Sequence, residues 1–122
     1  MLVRQVLMCI LMVVFSFQSE AYAYFRTGND LASLVAEFQK ANRKDPSAKY
    51  EDAHFFVAYV IGVYDSSEDR HLFCTPNNLA ISQTTAIVAK YLDSHPEHWS
   101  KPGPDIIVMA LAESFPRAKK KK

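Results

Sequence analysis

Four stretches of the chain repeat apolar residues at helical spacing, and none alternates in the manner of a strand. In the first, Leu31, Leu34, Val35 and Phe38 fall at i, i+3, i+4 and i+7. Asn29 is its expected N-cap, Asp30 suits the positive helix end, and Asn42 to Pro46 closes it. The second is expected from about Ser47 to Tyr64. Ala53, Phe56, Val57, Val60, Ile61 and Tyr64 share a face that Phe55 and Tyr59 widen, so this helix should be central. Gly62 inside it costs about 1 kcal/mol against alanine, which predicts close approach of another helix. The third starts at Ser82, with Ile81 and Ala86 placed as a hydrophobic staple. It buries Ile87, Val88, Tyr91 and Leu92 and stops at His95-Pro96. Pro104 opens the fourth, which carries Ile107, Ala110, Leu111 and Ser114 and ends at Phe115-Pro116. The pattern predicts an all-α fold, a single small domain of four or five helices.

A different pattern precedes these helices. Arg4 leads an apolar run from Val6 to Phe17, broken only by Cys9 and Ser16, and Ala21-Tyr22-Ala23 follows. This is the layout of a signal peptide spanning residues 1–23, cleaved before Tyr24. The run is shorter than the roughly 20 residues of a spanning helix, so no stable membrane insertion is expected after cleavage. The expected compartment is the periplasm. The helical domain would occupy residues 24–116, followed by a basic tail at 117–122.

The whole chain has a net charge of +1. Without Arg4, Glu20 and the lysines 119–122, nine basic residues face twelve acidic ones, a balance of −3. A nucleic-acid binder would show a basic face and not only a basic tail. Outside the signal only Cys74 remains, so no internal disulfide is possible and packing must hold the domain. Cys74 is expected as a small buried residue, with an intermolecular bridge as the alternative.

Catalytic chemistry finds no support. The glycines outside the signal, Gly28, Gly62 and Gly103, form no phosphate loop or dinucleotide fingerprint, and there is no G-x-S-x-G elbow. His95-Pro96-Glu97-His98 is the one cluster that suggests a metal, but the proline and the want of a third ligand favour a helix stop. No catalytic residue, cofactor or metal is assigned. Trp99, in the connector Pro96 to Pro104, is expected to cover the core. The longest connection runs from Asp65 to Ala80 and opens with a wholly polar stretch, Asp65 to Arg70. Connections beyond about 12 residues are usually functional or disordered, which makes this one the strongest pointer to a binding site.

Five blocks now stand in order: Tyr24-Phe25-x-Thr27-Gly28-Asn29-Asp30-Leu31; Tyr59-Val60-Ile61-Gly62-Val63-Tyr64-Asp65; Phe73-Cys74-x-Pro76; Val88-x-x-Tyr91-Leu92-x-x-His95-Pro96; and Ala110-Leu111-x-x-x-Phe115-Pro116. Together they resemble the immunity proteins of type VI secretion systems that guard against peptidoglycan amidases. The resemblance implies a periplasmic helical homodimer, not an enzyme, that occludes the cleft of a cognate amidase effector. It implies that the partner-binding residues are Ser66, Ser67, Glu68, Asp69, Arg70 and His71. Relatives carry further cysteines where this chain has Leu34 or Val35, Phe55 or Phe56, and Arg117, so the family's disulfides are not available here. Two other readings compete: a periplasmic chaperone of the acid-stress type, and a small-molecule or metal binder using His95 and His98.

Overall fold

The computed structural model describes residues 1–5 and 26–117. The expected signal-peptide core and cleavage point, and the lysines 119–122, lie outside the described residues. Helix α1 spans Gly28–Asn42, α2 Tyr50–Ser67, α3 Ile81–Ser94 and α4 Gly103–Ser114. Single 3-10 turns at Glu68–Arg70 and Pro96–His98 follow α2 and α3, and residues 2–5 form a separate helical turn. The fold is all-α. Among the described residues the one bridge of β type pairs Thr27 with Pro102. No described helix is long and apolar enough to cross a membrane.

Every helix of the bundle packs against the other three. Leu31 and Val35 of α1, Phe56 and Val60 of α2, Val88 and Leu92 of α3, and Ile106, Ile107 and Leu111 of α4 are buried to 1% exposure or less. Phe38 and Phe56 meet with ring centroids 5.1 Å apart. The helical periodicity therefore located the core. It erred at the boundaries.

The N-cap of α1 is Thr27, not Asn29. Thr27 N–H donates to Asp30 Oδ2 at 2.8 Å and its hydroxyl does so at 3.0 Å, while Asp30 N–H points back to Thr27 Oγ1 at 3.5 Å. This reciprocal box satisfies donors that the first turn would otherwise leave open. Helix α2 starts at Tyr50 because Asp45 first captures the Ser47 N–H and hydroxyl in a tight turn. It then runs on past Tyr64 to Ser67. Helix α3 begins at Ile81 after an extended Ala80, which makes no side-chain cap. Ser82 lies within its first turn, and the hydroxyls of Thr84 and Thr85 donate to the carbonyls of Ala80 and Ile81. Ile81 and Ala86 are both exposed, so the expected staple is not made.

Close approach occurs at other glycines than the one expected. Gly62 is exposed, and a Cβ there would meet nothing within 4 Å. A Cβ on Gly28 would stand 2.6 Å from Trp99 Cα and 2.8 Å from Trp99 O, and would also strike the Ile106 side chain. Gly28 N–H donates to Lys101 O, Asn29 N–H to Trp99 O and Gly103 N–H to Arg26 O, at 2.8–3.0 Å. The start of α1 is thus fastened to the connector before α4 by paired backbone groups, and only glycine lets the two chains come so near. Trp99 covers the core as expected: it is half-buried, and its ring N–H donates to Leu92 O at 2.9 Å.

Candidate functional site

The polar first part of the long connection, Asp65 to Arg70, is helical, and the chain from His71 to Ala80 is irregular. Ser66 and Ser67 belong to the last turn of α2, Glu68–Arg70 form the 3-10 turn, and His71 takes a left-handed conformation with φ 51° that redirects the chain. The His71 N–H donates to Glu68 O at 3.3 Å and closes the turn. Glu68, Asp69, Arg70 and His71 are all exposed, as is Ser66, whose hydroxyl donates to Val63 O. Ser67 is the exception among the six candidates. At 3% exposure it faces the fold and offers an outside partner little surface.

Both sides of the turn are anchored. Phe73 is buried and lies 5.6 Å from Tyr64, centroid to centroid. The hydroxyls of Tyr64 and Thr75 are 2.7 Å apart, and Cys74 N–H donates to Phe115 O at 3.0 Å. Cys74 itself is exposed, which corrects the expectation of a buried thiol. Its backbone is committed to the fold while its side chain is not.

Beside the turn, between α2 and α4, lies an open groove of about 400 Å³. Val63, Leu72, Val108 and Met109 form its apolar floor, with Arg70 and Asp105 at the rim. Sequence reasoning missed this groove because the residues are dispersed over three segments and carry no motif.

The histidine cluster is a different arrangement. His95 and His98 come together through the Pro96–His98 turn, their rings nearly parallel at 5.5 Å. Tyr91 stacks on His95 at 4.0 Å and its hydroxyl bonds His98 Nδ1 at 2.9 Å. His95 Nδ1 is 2.9 Å from Tyr91 O, and since a carbonyl only accepts, that nitrogen carries the proton. Burial raises the Tyr91 phenol above its usual range, and the Glu113 and Glu97 carboxylates add to this. The phenol therefore stays protonated. Among the described residues no group of three or more histidine, cysteine or carboxylate side chains is placed to hold a metal ion. The arrangement caps the end of α3: each imidazole has one nitrogen tied to Tyr91.

Residues 68–71 thus form an exposed, charged turn between buried Ser67 and buried Phe73. The family model of the Rap1a immunity proteins matches residues 27–116, so the chain belongs to the Rap1a immunity family. This is the family type that the five sequence blocks indicated. Membership implies binding of a cognate effector, and proteins of this family are not normally catalytic. No curated protein matches the chain.

Proposed function

We propose that this protein neutralises a type VI secretion peptidoglycan amidase in the periplasm by placing the turn at residues 66–71 in the effector's active-site cleft. The observation that carries this reading is the turn itself: four consecutive exposed polar residues, Glu68 to His71, rise between buried Ser67 and buried Phe73. A tip held on a packed base loses little conformational freedom on binding, which favours tight occlusion of a cleft. Its charges supply steering and selectivity among amidases. Homodimer formation belongs to the same reading, as the family resemblance implies.

The test is protection against lysis. The amidase encoded in the same gene neighbourhood is exported to the periplasm with and without this protein. Protection should disappear when Glu68-Asp69-Arg70 is replaced by Gly-Ser-Gly, with Ser67 left in place because the fold uses it. Lysis that proceeds unchanged in the presence of the wild-type protein, for every amidase tried, would sink the reading. Promiscuous, acid-dependent binding of unfolded proteins would then favour a chaperone.

A further inference from the structure

We propose that His71 is a positioning residue: its left-handed backbone aims the charged turn Glu68–Arg70 at the effector, and its imidazole is not a contact. This inference rests on the reading of that turn as the inhibitory element. His71 stands at φ 51° and ψ 37°. Asn, Asp and His enter this region several-fold more often than other residues with a side chain, and β-branched residues hardly adopt it.

Among the described residues two that are not glycine have a positive φ, Lys44 and His71, and they differ in what holds them there. At Lys44 a helix end does so. Lys44 N–H donates to Ala41 O and Asp45 N–H to Lys40 O, the two bonds by which a left-handed residue closes an α-helix. At His71 its own N–H is engaged, on Glu68 O at 3.3 Å, but among the described residues the Leu72 N–H reaches no backbone carbonyl. A complete helix cap therefore does not account for this conformation. What it produces is a change of direction: Glu68, Asp69 and Arg70 before it are exposed, while Leu72 after it is half-buried and Phe73 is buried. A sparsely populated backbone state persists where the structure on both sides over-determines it, and such residues cluster at functional sites. The last turn of α2 fixes the near side, and Phe73 against Tyr64 fixes the far side. A negative φ here would send the chain on in another direction, so that keeping Phe73 seated would tilt Glu68–Arg70 out of their present pose.

The experiment is a series at this one position, read as the affinity of the full chain for the same amidase, well below the melting temperature of each variant. His71→Asn and His71→Gly, which both accept a left-handed backbone, should bind within about twofold of wild type. His71→Ala should lose about fivefold and His71→Val at least tenfold. The order separates the roles. An imidazole that touches the effector would make His71→Gly fail as badly as His71→Ala, since both lack the ring, and that result overturns the proposal. A merely structural role would lower the melting temperature and leave the affinity of the folded protein unchanged, which overturns it too. If His71→Val does not fold, the contrast between Ala and Gly decides alone, because the two differ by one methyl group and by their access to this φ. A flat series, alongside lost binding in the Gly-Ser-Gly turn variant, would overturn the role of His71 and leave the turn standing. A wild-type protein that binds no amidase overturns both.

Discussion

Two connectors of this bundle differ in what their backbones are committed to. From His95 to Pro102, between α3 and α4, several backbone groups are occupied by the fold. Trp99 O and Lys101 O accept from α1, while the N–H groups of His98, Trp99 and Lys101 donate within the connector. From Glu68 to His71, at the end of α2, the backbone makes a 3-10 turn that the His71 N–H closes on Glu68 O, and its side chains face water. Carbonyls that accept from another helix are set when the bundle packs, so the first connector is fixed by the folding of the domain. Solvent-facing side chains on an anchored turn carry no such duty and are free to serve a partner. The bundle is closed at one connector, and the other leaves exposed the side chains on which the proposed function rests.

The comparison breaks most readily at the fastened connector. Gly28→Ala would force the α1 backbone away from Trp99, and the neighbour there is main chain, which cannot swing aside. A loss of about 2–3 kcal/mol is expected, as for overpacked cores. In a domain of this size that lowers Tm on the order of 10–20 °C. A melt within two degrees of wild type would show that the seam adjusts and is not a constraint.

A smaller effect comes from the capping box at the same seam. Thr27→Ala should cost about 1 kcal/mol through loss of the N-cap oxygen. Its partner responds to pH. The Asp30 carboxyl lies below the ordinary aspartate range, first because the Thr27 N–H donates to it and then because of the Thr27 hydroxyl. A carboxyl with a lowered folded pKa stabilises fully above its unfolded value near pH 4, and that contribution drains away as pH falls through the folded value. Asp30→Asn, which has no such titration, should therefore be less stable than wild type at pH 7 and converge with it below about pH 4. Urea melts across that range measure the gap. A gap that stays constant with pH would remove the ionised carboxylate from the account of the cap.

Much of this fold was legible because helix faces repeat and cores obey the repeat. Leu31, Val35, Phe56, Val60, Val88, Leu92 and Leu111 are buried where the periodicity puts them. Caps were harder: Thr27 and Asn29 are both good N-cap residues, and the choice depends on the Lys101 and Trp99 carbonyls, distant in sequence, that engage Gly28 and Asn29. The end of α2 was hidden by Asp65-Ser66-Ser67, polar residues that prolong a helix already packed on its neighbours. For the candidate site, polarity and spacing found the turn. They could not show that Ser67 turns inward, since burial at one position follows from where α4 passes. The groove was beyond reach for the same reason: Val63, Leu72 and Val108 become neighbours only once α2 and α4 pack.

Gly62 offers the finest test, because it is the glycine that the fold does not use. It lies within α2 in an uncharged run from Phe55 to Tyr64, on a face where Phe55 is 41% exposed and partly covered by the Arg26 guanidinium, 4.9 Å above its ring. With open space around its Cβ position, Gly62→Ala should stabilise an isolated chain by up to about 1 kcal/mol, the helix propensity difference. That is a rise in Tm of roughly 4–8 °C, readable by circular dichroism. The same substitution reads the proposed homodimer. If a second copy packs closely on this face, the added methyl group obstructs it, and the gain seen in dilute protein should shrink or reverse as concentration rises. A gain independent of concentration would place any dimer contact elsewhere. In the first case Gly28 and Gly62 serve the same end, close approach of two chains, one within the protomer and the other between protomers.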